Sequence, residues 1–254
     1  MVHIVGAGSG DPELITLKGR RYLKEADVVI YAGSLVNPEL LGFCRPEAAV
    51  YNSANMTLPE VIDKIKEAEA AGKTTVRLHT GDPALYGAIQ EQMASLDREG
   101  ISYDVTAGVS SFLAAAASLK QEYTLPGISQ TVIITRQEGR TPVPEREKLK
   151  ALAAHQATMC IFLSVDKLAE VVKELIAGGY PSDTPIAIVQ KASWPEEKIV
   201  RGRLDNIVAR VAAENIDRTA MIVVGRVLDK EAAAYELSQL YAPEFSHTFR
   251  TASP

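Results

Sequence analysis

Cysteine, histidine and tryptophan are scarce in this chain. Cys44 and Cys160 are its only cysteines and lie far apart in sequence. That suits a reducing cytoplasm, not a disulfide framework. Four histidines, His3, His79, His155 and His247, are scattered without metal-ligand spacing. The cysteines do not complete such a set, so no protein-bound metal is expected. No apolar run approaches the length that spans a bilayer, so no membrane partner is expected. Lys and Arg number 27 against 32 Asp and Glu, for a formal net charge of -5. The electrostatic footprint of a general nucleic-acid binder is therefore missing. The opening Met1-Val2-His3-Ile4-Val5-Gly6 runs straight into a strand pattern with no basic stretch or cleavage site, so no secretory leader is expected. No internal repeat and no low-complexity segment stands out.

What is present is ordinary globular material. The chain has 254 residues, 46% hydrophobic and 23% charged, ample for a real core in one large or two small domains. Short apolar runs at 3–6, 28–31, 50–51, 75–79 and 103–106 read as strands. Between them lie amphipathic helical patterns. The clearest helix follows Thr57, where Thr57-Leu58-Pro59-Glu60 is a capping box. Leu58, Val61, Ile62, Ile65 and Ala68 then form one apolar face. This alternation predicts a first α/β domain with a mostly parallel sheet covered on both faces, closed by the alanine-rich helix 112–119. A second α/β domain is expected from residue 123. Its strands fall at 131–135 and 159–163, with a helix at 168–176. Strands at 186–190 and 199–203 are joined by 191–198, too short for a crossover helix, which implies an antiparallel pair. A helix using Leu204, Ile207, Val208 and Val211 and a strand at 221–225 complete a mixed sheet. The tail from 245 is expected to fray, unless Phe245 and Phe249 dock.

Three turns follow strands in the first half. Thr80-Gly81-Asp82-Pro83 precedes a helical pattern with Leu85, Ile89, Met93 and Leu96 on one face. Gly81 lets a ligand approach the backbone and Asp82 supplies a carboxylate; the plain alternative is Asp82 as an N-cap. Gly108-Val109-Ser110-Ser111 either bonds a ligand through its hydroxyls or caps the alanine helix. Gly6-Ala7-Gly8-Ser9-Gly10-Asp11 invites a dinucleotide reading, but that fingerprint needs its third glycine where Asp11 stands. Asp11 would also place negative charge beside a pyrophosphate. A nicotinamide oxidoreductase is therefore the remote alternative, against a tight turn capped by Asp11 or a substrate-facing loop. Convergence of three such turns at one sheet edge is what raises a site.

The second half adds charge. Arg136, Glu138, Arg140 and Arg146 follow a strand, either as a solvated loop or as guanidinium forks for a polyanionic small molecule. Trp194, the one tryptophan, lies in the hairpin connection and reads as structural or ligand-stacking.

Taken in order, GAGSGDPELITLKG, VVIYAGSLV, TGDPALYG, GVSSFLAA, TRQEGRTPVP, IFLSV, GGYPSDTPIAIVQKASWPEE and TAMIVVG resemble the tetrapyrrole methyltransferase family over nearly the whole chain. These are the class III S-adenosylmethionine methyltransferases. The resemblance implies two α/β domains, 1–122 and 123–254, with S-adenosylmethionine in the cleft between them, in a cytoplasmic homodimer acting on a tetrapyrrole small molecule. It implies that Thr80, Gly81, Asp82 and Leu85 line the cofactor site with Tyr86 close by, and that Ser110 and Ser111 sit near the methionine part. Phe162, Leu163, Lys191, Ala192, Thr219, Ala220 and Met221 would come from the second domain. Ser9, Tyr31 and Ser34 would border the substrate trough, and Arg136 and Arg140 would meet substrate carboxylates.

Within the family, YAGSLV, EGRTPVP and KASWPEE look most like the branch that methylates ring carbon C11 of precorrin-4 or its cobalt complex. A sibling acting on another corrin carbon is the alternative. The family's opening loop often carries proline where this chain has Ser9. The uroporphyrinogen-methylating branch carries an aspartate in the segment matching Ala32 and a basic pair in the segment matching 52–55. Both are absent here, so no catalytic proton acceptor is carried over.

Overall fold

The structure, a computed structural model, describes residues 1–229, 238, 240 and 242–252, without the side chain of Ser34. It divides into two compact units: Met1–Ala115 with Lys191–Glu197, and Ala116–Gln190 with Lys198–Pro254. The hairpin connection thus groups with the first unit.

The first unit alternates strands and helices. In chain order these are β1 (Val2–Gly6), α1 (Leu17–Glu25), β2 (Val28–Tyr31), β3 (Ala49–Asn52), α2 (Leu58–Ala70), β4 (Thr75–His79), α3 (Ile89–Arg98), β5 (Tyr103–Thr106) and the first half of α4 (Ser111–Leu119), whose residues from Ala116 belong to the second unit. The five strands pair in the order β3-β2-β4-β1-β5, every pair parallel. Alternate residues of β1 feed two cores. Val5 packs with Ile15, Leu23, Val29, Val76 and Leu78. Val2 and Ile4 pack with Val28, Ile30, Val61, Ile65 and Leu96. Both faces are therefore covered, as the apolar strand runs require. The capping box of α2 forms as its sequence dictates: Glu60 accepts from the Thr57 backbone N–H and Thr57 from the Glu60 N–H.

Topology places the site. The chain leaves β1 toward β2 on one side, and leaves its neighbour β4 toward β5 on the other. Loops diverge between β1 and β4, and in open α/β sheets a crevice opens there, outside the carboxyl ends of the strands.

The second unit contains β6 (Val132–Arg136), α5 (Leu149–Ala153), β7 (Thr158–Phe162), α6 (Leu168–Ala177), β8 (Pro185–Gln190), β9 (Lys198–Arg203), α7 (Ile207–Ala213) and β10 (Ala220–Val224). Its sheet order is β6-β7-β10-β8-β9. β6 and β7 are parallel and the other pairs antiparallel, including β8 with β9. Met159, Ile161, Ile186, Ile188 and Ile222 form a core with Val171 and Leu175 of α6 and Ile207 and Val211 of α7.

Three sequence expectations need correction. The helix expected from Leu85 begins at Ile89. Leu204 lies in a turn before α7, its N–H bonded to the Thr184 carbonyl at 3.1 Å. Leu163 lies outside β7, with a left-handed φ of 52°. In the tail, Phe249 stays 94% exposed, while Arg250 donates to the carbonyls of Leu240, Ala242 and Phe245.

Candidate active site

The carboxyl ends of β1, β4 and β5 bring three turns into direct backbone contact. Ala7 N–H donates to the His79 carbonyl at 2.7 Å. Gly8 and Gly81 then exchange both of their backbone bonds, at 3.2 and 2.9 Å. A Cβ on Gly6 would lie 2.6 Å from Gly108 Cα, and one on Gly108 only 2.1 Å from the Gly81 carbonyl oxygen. Glycine at 6 and 108 is thus a packing requirement of the three loops. Gly81 differs. Its φ is +60°, yet a Cβ there would meet nothing closer than Ser110 Cα at 3.6 Å. Backbone conformation demands glycine at 81, while a Cβ there would sit in ordinary van der Waals contact with the turn at Val109–Ser111.

Asp82 ties this junction together. One carboxylate oxygen accepts from Ala84 N–H and the other from Gly108 N–H, each at 2.8 Å. It is not the N-cap of α3, because α3 starts seven residues later at Ile89. The intervening coil is tight. Tyr86 and Ala88 have φ of 56° and 49°, and a Cβ on Gly87 would lie 2.3 Å from the Pro83 carbonyl oxygen. This left-handed coil is why the apolar periodicity from Leu85 did not become helix.

A buried polar group that sequence reading missed supports the coil. Arg77 Nε donates to Gln92 Oε1 at 3.0 Å and Arg77 Nη1 to the Ile30 carbonyl at 3.1 Å. Gln92 Nε2 donates to the Ala88 carbonyl at 3.0 Å. All these acceptors are neutral, and burial lowers the Arg77 pKa to about 10, leaving it a cation at neutral pH. His79 lies in the same strand. Burial first, then the Arg77 charge, pull its pKa down to about 3 against an opposing hydrogen bond to Gln92. Among the described residues His79 Nε2 has no hydrogen-bond partner. The signal was an arginine and a histidine inside a five-residue strand buried at every position.

Ser110 and Ser111 follow, at the start of α4. Ser110 is 4% exposed. In the opening loop, Asp11 caps the turn Pro12–Leu14 by accepting from Glu13 N–H at 2.8 Å. The N-cap of α1 is Thr16 instead, bonded to Gly19 N–H at 3.0 Å. Ser9 is buried and its hydroxyl lies 2.9 Å from that of Ser193. Tyr31 ends β2 at the margin of one core. Ser34 falls in the turn Gly33–Leu35; its side chain lies outside the described residues. Lys191 has φ 49° and reaches Glu196 at 3.4 Å, while Ala192 is buried.

The second unit gathers its own set at one edge of its sheet. β6, β7 and β8 end there and β10 begins there. Arg136 is paired with Phe162 in the ladder, Leu163 follows Phe162, and Thr219 leads into β10, which Ala220 and Met221 open. Leu163 is 67% exposed. Thr219 has φ 53°, a genuine outlier for a β-branched residue. Nine described non-glycine residues have a left-handed φ, and four of them, Tyr86, Leu163, Lys191 and Thr219, are among the residues expected to meet the cofactor. Arg136 is not available as an open fork. It donates to the carbonyls of Gln137, Thr141 and Pro142 at 3.3, 3.1 and 2.9 Å, closing its own loop. Arg140, in that loop, is exposed and has no partner among the described residues.

Comparison with known proteins gives a consistent picture. The family model described as Tetrapyrrole (Corrin/Porphyrin) Methylases matches residues 1–208. A cobalt-precorrin-4 C(11)-methyltransferase of Methanocaldococcus jannaschii is 58% identical over 98% of this chain and 95% of its own length. Among solved structures, a cobalt precorrin-4 methyltransferase of cobalamin biosynthesis superposes with a TM-score of 0.88 at 48% identity, covering 90% of this chain and 95% of that one. A uroporphyrin-III C-methyltransferase from Thermus thermophilus, in complex with S-adenosylhomocysteine, follows at a TM-score of 0.72 and 30% identity, covering 89% and 98%.

Proposed function

The chain belongs to the tetrapyrrole (corrin/porphyrin) methylase family, and from that premise we propose that it methylates ring carbon C11 of precorrin-4, or of its cobalt complex, in cobalamin biosynthesis. The observation that carries this choice of ring carbon is the 58% identity, end to end, to a methyltransferase of that name, against 30% to one acting on uroporphyrin-III.

The residues fit S-adenosylmethionine. The turn at Gly81 carries no side chain, and its left-handed φ of +60° holds it beside Ser110, whose Cα would lie 3.6 Å from a Cβ at 81. Thr80, Gly81, Asp82, Leu85, Tyr86, Ser110 and Ser111 would hold it in the first unit, with Lys191 and Ala192. Phe162, Leu163, Thr219, Ala220 and Met221 are the second-unit positions. When bound, the cofactor supplies a methyl group on a sulfonium and leaves as a neutral thioether. The transfer is an in-line displacement, so this chain's task is orientation. Asp82 serves that task by holding two loops in place, its oxygens committed to backbone N–H groups. His79 is too weak a base to take the ring proton. The conjugated macrocycle carries charge until that proton leaves.

Arg140 is the cation we assign to a substrate carboxylate; Arg136 shapes the loop that carries it. Ser9, Tyr31 and Ser34 border the same substrate. A cytoplasmic homodimer accompanies this reading; two free cysteines, Cys44 and Cys160, agree with a reducing compartment. The test offers S-adenosylmethionine with precorrin-4, its cobalt complex or uroporphyrinogen III, and follows product mass. One added methyl on a precorrin-4 form, with uroporphyrinogen III untouched, is the expected outcome. Turnover of uroporphyrinogen III alone would refute it.

A further inference from the structure

We propose that Ser193 and Trp194 form a latch that positions the glycine-rich loop 6–11 for the tetrapyrrole, which makes them positioning residues of the reaction. This rests on the methyltransferase reading above.

The latch is built from both sides. Segment Lys191–Glu197 is folded on itself. Trp194 N–H donates to the Lys191 carbonyl at 2.9 Å, and Glu197 N–H to the Trp194 carbonyl at 3.1 Å. Ser193 N–H donates to Glu197 Oε2 at 2.8 Å. Ser193 takes a left-handed φ of 68°. That turn presents two side chains to the loop. Ser193 Oγ accepts from Asp11 N–H at 3.1 Å and bonds Ser9 Oγ at 2.9 Å. Trp194 Nε1 donates to the Ser9 carbonyl at 3.0 Å. From another element, Asn37 Nδ2 donates to the Gly10 carbonyl at 2.8 Å.

A loop with glycine at 6, 8 and 10 has much freedom to lose, and among the described residues no strand supplies partners for residues 9–11, the Asp11 carbonyl alone being bonded to the next turn through Leu14 N–H at 2.9 Å. Buried backbone groups must be paired, and here side chains pair them. The steric fit is as specific as the bonding. A Cβ on Gly10 would lie 2.1 Å from Trp194 Cδ1 and 2.3 Å from Trp194 Nε1. One end of the loop is thus bridged to the turn at Gly81, and the other is pressed against the indole. Any shift of Trp194 moves the loop that borders the substrate.

Trp194 is the one tryptophan, so intrinsic emission reports on the latch without an assay of activity. Gly10→Ala is expected to shift that emission to the red in a protein that stays folded by circular dichroism. In a Trp194→Ala background the same Gly10→Ala substitution is expected to lower neither melting temperature nor turnover further, because the clash is gone. Ser193→Ala, which deletes the bonds to Ser9 and Asp11, and Trp194→Phe, which deletes the bond to the Ser9 carbonyl together with the indole edge packed on Gly10, are expected to lower kcat/KM for the tetrapyrrole by about tenfold or more. Their S-adenosylhomocysteine affinity should stay within about threefold of wild type by calorimetry. Unshifted emission in Gly10→Ala, or equal costs of that change in both backgrounds, would overturn the latch. So would wild-type kcat/KM in Ser193→Ala and Trp194→Phe, or cofactor affinity falling in step with turnover. If the wild-type protein turns over no tetrapyrrole, the functional reading fails, and the emission and melting measurements still decide the latch.

Discussion

Gly81 answers two demands at once, a left-handed backbone and a close seat beside the turn at Val109–Ser111, where a Cβ would already be in van der Waals contact. An L residue there costs about 1–2 kcal/mol of conformational strain, and a branched one also fills the space assigned to the cofactor. Gly81→Ala should therefore weaken S-adenosylhomocysteine binding and Gly81→Val should abolish it, both folded by circular dichroism. Normal titration of the valine variant would move the cofactor elsewhere. The two loop arginines separate in the same way. Arg140 has no partner among the described residues, so Arg140→Ala should raise the tetrapyrrole KM and leave kcat and cofactor affinity near wild type. Arg136 closes its loop through three carbonyls, so Arg136→Ala should lower kcat as well. Steady-state kinetics showing a KM effect alone for both would return Arg136 to direct substrate contact.

β4 is the element in which structure and site are least separable. Its apolar residues Val76 and Leu78 fill one core, while Arg77 is tied through Gln92 to the strained coil at Ala88. His79 gives this element a pH signature. Its ordinary value of 6.5 is lowered to about 3 in the fold. Above pH 6.5 the ring is neutral in both states and adds no difference. Below it the unfolded chain binds a proton that the native ring refuses, so stability falls with pH, by up to about 1.4 kcal/mol per unit. His79→Gln removes the titration. Its melting temperature should decline less steeply than wild type as pH drops from about 6.5 toward 4. Parallel melting curves would show that His79 does not carry the effect. The local pattern put Arg77 and His79 in a strand but announced neither their burial nor their partners. A strand of five residues is too short for periodicity to separate a buried arginine from an exposed one, and α3 begins late because Gly87 and Ala88 coil in a way apolar spacing does not encode.

At the scale of the molecule, much was legible because it rests on local pattern. Strand and helix alternation led to the parallel sheet. The short stretch after Gln190 could only join antiparallel strands, and the capping box at Thr57 marked its helix to the residue. What was not legible joins residues distant in sequence: Asp82 with Gly108, and Ser9 with Ser193 across 184 positions. No spacing rule reaches that far. For the same reason the sequence did not show that Asp82 joins two loops through Ala84 and Gly108 N–H, or that Arg136 donates to three carbonyls of its own loop. The family's chemistry is chiefly one of orientation, and a misplacement of about 1 Å costs on the order of a hundredfold in rate. The ring carbon that receives the methyl group is therefore the sharpest readout of the whole arrangement. The decisive measurement is carbon NMR of the product formed from precorrin-4, or its cobalt complex, and S-adenosylmethionine labelled in the methyl group. Label at C11 is the predicted result; label chiefly at C2, C7 or C17 would contradict the account.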